Sequence, residues 1–197
     1  MKKIVFIVIL AIVVPLIYLI FTNYNNIPKL DENVKEKWSQ VQNQYKRRAD
    51  LIPNLVATVK GYAEHEKGTF VEVTEARSKV SQMNINADTL NNPAAMQQFS
   101  DAQAGLSGAL SKLMLVVEKY PELKANENFM ALQSQLEGTE NRITVARKDF
   151  IEAVKLYNLE LRTMPGKLVA AIAHPSAQVK ETFKASEAEQ EAPKVQF

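Results

Sequence analysis

The chain opens on an uninterrupted apolar run and then settles into long amphipathic stripes. Residues 4–21 read IVFIVILAIVVPLIYLIF, beginning at Ile4 and closing at Phe21, with no charge and no side-chain amide. As a helix this run covers about 27 Å, close to a hydrocarbon core of roughly 30 Å. In lipid such a segment must satisfy its own backbone polar groups, so the pattern predicts a single transmembrane helix. Pro15 removes one of its hydrogen bonds and is expected to kink it. Tyr18, Phe21 and Tyr24 fall toward one end, where aromatic rings favour the membrane interface. A cleaved signal peptide would have a shorter apolar region and a small-residue cleavage site. Residues 22–26 (TNYNN) offer no such site, so the run is expected to remain as an anchor.

Beyond Pro28 the apolar positions recur at alternating spacings of four and three. The series is Val34, Trp38, Val41, Tyr45, Arg48, Ile52, Leu55, Val59 and Tyr62, in which eight of nine positions are apolar or aromatic. That is a heptad seam, the signature of a long helix burying one face. It persists through Val73, Ala76 and Val80, and unbroken over residues 31–80 it would reach about 75 Å. Gly61 and Gly68 are the positions where it would bend or end. Residues 81–92 (SQMNINADTLNN) lose the period and read as a loop. Asn92-Pro93 then supplies a helix start, Asn as N-cap and Pro in the first turn. The second stripe is Met96, Phe99, Gln103, Leu106, Leu110, Leu113, Val117 and Tyr120, stopped by Pro121. The third is Phe129, Leu132, Leu136, Thr139, Ile143, Ala146, Phe150, Val154, Tyr157 and Leu161, stopped by Met164-Pro165-Gly166. A final polar helix over residues 176–191, carrying little apolar surface beyond Val179 and Phe183, is expected to dock loosely.

No segment reads as a strand. The expected architecture is all-α: residues 1–25 as N-terminal tail and transmembrane anchor, and residues 26–197 as an antiparallel bundle. Three long helices and a shorter C-terminal one would give it a four-helix-bundle-like form.

Charge changes the picture little. Lys and Arg number 24 against 22 Asp and Glu, a net charge of +2. Lys2 and Lys3 precede the anchor, so the remainder is balanced and carries no electrostatic footprint for nucleic acid. The same two lysines, facing a Lys/Arg-free stretch over residues 22–28, favour an N terminus inside and a bundle on the exported, periplasmic side of the cytoplasmic membrane. Lys29, Lys35 and Lys37 pull the other way. The chain has no Cys, which removes disulfides, thiolate metal sites and lipidated cysteine.

Catalytic candidates are sparse. His65-Glu66 begins like a zinc-binding His-Glu-x-x-His helix, but position 69 is Thr, and His174 lies beside a proline far away. Neither His follows a Glu at the spacing of a di-iron bundle. Gly105-Leu106-Ser107-Gly108 resembles a nucleophile elbow but sits inside a helical stripe. No cofactor is expected, and no enzyme activity. The densest polar information is residues 46–54 (KRRADLIPN). Arg48 takes the one seam position that is neither apolar nor aromatic, which requires a partner or a route to water. Pro53 cannot donate to the carbonyl of Ala49, leaving an acceptor that Arg48 or water would have to serve. Lys46, Asp50 and Asn54 share another face at i+4 spacing. Arg47, Arg48, Asp50, Pro53 and Asn54 are therefore the candidate signature. It serves either as a kinked structural network or as a recognition site for an unidentified protein partner. An enzyme or small-ligand bundle using the same residues is the alternative. The Tyr120-Pro121 turn is a second candidate contact, and Trp38, Phe70 and Val71 would be the surplus apolar surface for a homo-oligomer.

These residues also make the chain resemble the LemA family. The likeness runs through residues 41–56 (VQNQYKRRADLIPNLV), Val59-Lys60-Gly61-Tyr62-Ala63, His65-Glu66 and Tyr120-Pro121-Glu122-Leu123-Lys124-Ala125. It continues through Phe129, Leu132-Gln133, Glu140, Ala146-Arg147, Tyr157-Asn158 and Pro165-Gly166 into the tail with Phe183, Pro193 and Phe197. Phe150-Ile151 and His174-Pro175 depart from the family's usual residues. The resemblance implies a bacterial, single-pass membrane protein with a long-helix bundle and no settled molecular activity, and it supplies no catalytic residues. It also implies a short extracellular N terminus, opposite to the orientation that Lys2 and Lys3 favour.

Overall fold

In the computed structural model the described residues are 2–83, 86 and 90–183, and among them every regular element is helical. Helix α1 spans Lys2–Asn23 and α2 spans Asn26–Lys60, so only Tyr24 and Asn25 separate the apolar run from the first bundle helix. Asn25 keeps helical backbone angles, and the Lys29 amide bonds its carbonyl at 3.2 Å. The seam of α2 is buried as its spacing predicts, from Val34 and Trp38 through to Val59.

The long periodic segment ends at Gly61. Its amide bonds the Ala57 carbonyl, the Tyr62 and Ala63 amides close on that of Val59, Ala63 plugs the corner, and the chain restarts as α3, Lys67–Gln82. The expectation of one helix over residues 31–80 therefore fails at the glycine where a break was foreseen. The break supplies the bundle's fourth helix, because α3 folds back along α2. After residues 81–92 come α4 (Pro93–Val117), the single turn α5 (Pro121–Lys124), α6 (Glu127–Arg162) and α7 (Gly166–Ala173). Asn92 caps α4 as its sequence indicates, its side chain accepting from the amides of Ala94 and Ala95. Asn126 caps α6 by accepting from the Phe129 amide and also donates to the Tyr62 hydroxyl at 3.0 Å. Leu123 of α5 is buried beside it, so the Tyr-Pro turn closes one end of the core.

Cross-links fix the order as up, down, up, down for α2, α3, α4 and α6. Trp38 meets Phe150 and Arg48 meets Glu140, which sets α2 antiparallel to α6. Trp38 also meets Phe99, and Arg48 meets Ser107, which sets α4 parallel to α2. Arg77 reaches Ala49, and Lys112 pairs with Glu72, placing α3 between them. Trp38 and Phe70, offered by the sequence as surface for self-association, are core residues of the monomer; Val71 alone of the three is exposed.

The C-terminal segment departs most from expectation. Residues 176–183 are not helical, and residues 184–191 lie outside the described residues. The reason is a set of backbone contacts that a helix would forbid. The Asn158 side chain grips both the amide and the carbonyl of Lys180, at 2.9 and 2.8 Å, and the Glu181 amide donates to the Leu90 carbonyl. Lys180, nearly buried, pairs with Asp31 at 2.9 Å, and Phe183 lies against Trp38, Phe99 and Phe150, with the Arg147 guanidinium over its ring. Residues 176–183 form a strap across the lower core, and they do not dock loosely.

The apolar run of residues 4–21 lies within helix α1, and its described side chains, including Ile4, Phe6, Ile7 and Ile17, are exposed. Taken over the described residues alone, no helix is long and apolar enough to cross a membrane. The expected transmembrane helix is therefore not supported by the described residues; six of the side chains in residues 4–21, that of Phe21 among them, lie outside that set.

Two consequences follow for stability. Phe183→Ala should cost about 2 kcal/mol, as truncation of a half-buried aromatic does, lowering the melting temperature of the detergent-solubilised chain by several degrees. Partial burial pushes the Asp31 carboxyl up, but hydrogen bonds from Lys35 and Lys180 outweigh it and hold the group below its ordinary value. A depressed carboxylate contributes fully above its unfolded value near pH ~4 and loses that contribution as pH falls through the folded value. Asp31→Asn should therefore melt below the parent chain at neutral pH, and the gap should close in acid.

Candidate interaction site around Arg48

The core divides into two apolar clusters. One runs from Ile52 toward Leu123 and Phe129; the other runs from Tyr45 down to Ile27 and Val169. Arg48 sits between them, 2% exposed. Its Nη1 donates to Glu140 Oε1 at 2.7 Å and Ser107 Oγ at 3.0 Å, and its Nη2 donates to Gln103 Oε1 at 2.5 Å. Nε is buried without a partner, and the guanidinium lies 5.2 Å from the Tyr45 ring centre. Burial pushes the Tyr45 hydroxyl above its ordinary value against the pull of Arg147 and Arg48. The layer extends through Thr139, fully buried, which accepts from Arg142 Nη2 at 2.9 Å; Arg142 Nε donates to Gln44 at 3.2 Å.

Pro53 lies within α2, and the carbonyl of Ala49 that it leaves without an amide is taken by Arg77 Nε of α3 at 2.8 Å. The sequence pointed to the free acceptor and named Arg48 or water; the tertiary fold supplies Arg77. Arg48 instead spends its donors across the bundle.

The signature thus splits by side. Arg48, Ala49, Ile52 and Leu55 face inward, whereas Lys46, Arg47, Asp50, Pro53 and Asn54 are exposed. Lys46 and Asp50 border a cleft of about 500 Å³ between α2, α3 and α4, shared with Asn43, Tyr45, Ser81 and Gln103. Sequence reasoning missed Gln103, Ser107 and Glu140 as partners of Arg48. A signal existed: Gln103 and Thr139 are the polar members of their own stripes, as Arg48 is of its stripe. Glu140 lies beside its seam, so nothing in the spacing marks it.

His65 is exposed, and His174 bonds the Tyr24 carbonyl through Nε2 at 2.9 Å with its ring against Tyr24. Among the described residues no three His, Asp or Glu side chains cluster as metal ligands.

The arrangement separates a packing role from a surface role. Arg48→Ala empties a buried position and strips buried Gln103, together with the more exposed Ser107 and Glu140, of their donor, and should cost about 3 kcal/mol. Asp50→Asn, on the solvated face, should stay within about 0.5 kcal/mol of the parent. Thermal melting of both variants checks the pair.

Comparison with known proteins places the chain. The family model for the LemA family matches residues 37–197. Magnetosome protein MamQ 1 and MamQ 2 of Paramagnetospirillum magneticum are each 25% identical over 177 residues, covering 81% of this chain and 65% of theirs. Protein LemA of Metamycoplasma hominis is 24% identical over 170 residues, covering 86% of this chain and 74% of its own. The chain thus spans less than two thirds of the length of the MamQ relatives that it matches. With the family model covering residues 37–197, all of the bundle but the first turns of α2 and with signature and strap included, this chain belongs to the LemA family.

Proposed function

We propose that the chain is a single-pass membrane protein whose bundle is held at the exported face of the bacterial cytoplasmic membrane as a non-catalytic interaction module. The observation that carries this reading is α1. It is a 22-residue helix whose described apolar side chains have no protein surface to cover them, with Ile4, Phe6 and Ile7 all near two-thirds exposed. Apolar surface of that extent is stable only against lipid or another protein, and the charge-free residues 4–21 match the thickness of lipid. Lys2 and Lys3 orient it. Relatives named as magnetosome proteins are compatible with such a station and assign no activity to this chain.

The partner-facing surface is the solvated half of the signature, Lys46, Arg47, Asp50 and Asn54, backed by a rigid Arg48 layer. A buried network that leaves a charged, preorganised face costs a partner little ordering on binding. The cleft beside Tyr45 and Asp50 supports a second reading, a small-ligand site; one class of metabolite raising the melting temperature would favour it.

The chain lacks cysteine, so Ser134→Cys places a single thiol on an exposed position of α6. Intact cells treated with a membrane-impermeant maleimide should label it before lysis, and alkaline carbonate should leave the chain in the membrane pellet. Labelling only after lysis would put the bundle in the cytoplasm, and release by carbonate would remove the anchor.

A further inference from the structure

The end of the bundle nearest α1 carries surface that the packing does not use. Antiparallel pairing of α2 with α6 sets Trp38 beside Phe150 and Arg48 beside Glu140. The same register puts Arg162 level with about Asn26, and Met164 within roughly 5 Å of Phe21 along the helix axis. The other end of α7 returns to the same height, where His174 bonds the Tyr24 carbonyl. Both ends of α7 therefore lie where α1 passes into α2, and α7 touches both helices.

At that height α7 is two-sided. Gly166 and Val169 are buried against the bundle, and a Cβ on Gly166 would collide with the Glu160 carbonyl, so the contact is close. The outer side presents Lys167, Ala171 and Ile172. Ile172 is 61% exposed and Met164, at the turn, is 70% exposed. Lys29, Arg162 and Lys167 are exposed around them, and among the described residues none is in an ion pair. Of the nearby acids, Asp31 and Glu32 pair with Lys35, and Glu160 is turned against Gly166 with its Oε1 buried and without a hydrogen-bond partner, so it does not pair with these cations.

We propose that the α6–α7 turn is a second membrane contact, in which Met164 and Ile172 enter the headgroup region of the leaflet that α1 leaves, while Arg162, Lys167 and Lys29 pair with anionic lipid headgroups. The inference rests on the anchored reading of α1. Lipid is the occupant because the patch is continuous with the anchor, lies at interface depth and combines apolar tips with unpaired cations, the composition that interfacial segments use. A single helix leaves a bundle free to swivel; a second contact fixes its tilt and decides which flank the signature presents.

The test uses the full chain reconstituted into vesicles of phosphatidylcholine with or without phosphatidylglycerol. A polarity-sensitive fluorophore is placed on Met164→Cys, Ile172→Cys or Ser134→Cys, the last about 40 Å up the bundle. Spin-labelled lipid should quench the first two sites and spare the third, more strongly in phosphatidylglycerol. Arg162→Glu and Lys167→Glu should each lower the docked-to-undocked ratio about fivefold in anionic vesicles. All are exposed positions, so folding is little affected. If Met164 and Ile172 are as unquenched as Ser134 while carbonate leaves the chain in the vesicles, the anchor stands and the second contact falls. If carbonate strips the chain, both fall. Equal quenching with and without phosphatidylglycerol would overturn the headgroup pairing.

Discussion

A guanidinium in the middle of a helical core is tolerable only when several elements bring it partners at once. Arg48 obtains them from α4 and α6 while projecting from α2, and the three helices cannot slide without leaving it unpaired. An apolar seam alone would accept shifts by a heptad; a buried ion pair with two further acceptors does not. Glu140 remains half exposed, so only one member of the pair is fully desolvated. That keeps the cost of burial to the arginine, whose unpartnered Nε marks where satisfaction is incomplete.

The bundle's two halves are built on different principles. Above Arg48, four helices close around a mainly aliphatic core that also takes in Phe70 and Phe129 and is capped by Leu123. Below it α3 ends within about two turns, and the space beyond is filled by aromatic rings and the strap, Trp38 with Phe99, Phe150 and Phe183. The strap carries its own polar closure in the Asn158 clamp on Lys180 and the Lys180–Asp31 pair. Because that closure lies just above the α1–α2 junction, the part of the fold nearest the proposed membrane is held by long-range contacts, not by local helix propensity. Pro53 shows the same division of labour: it weakens α2 locally, and Arg77 from the neighbouring helix answers the exposed carbonyl.

Heptad spacing alone determined the helices, their buried faces and the all-α class, because a 3.5-residue repeat has no other compact solution. It also marked Arg48 as anomalous and the Ala49 carbonyl as unserved, since both follow from covalent rules within one helix. The apolar run of residues 4–21 was equally legible, being a property of composition. Only the tertiary structure decided which partners answer those anomalies. Glu140, Gln103, Ser107 and Arg77 lie 28 to 92 residues from the groups they bond, and no local pattern encodes such pairings. It alone decided, too, that the fourth helix is α3 and that residues 176–183 form a strap. A polar segment with one Phe looks like a loose helix until the cavity beside Trp38 and the clamp at Asn158 exist to hold it extended.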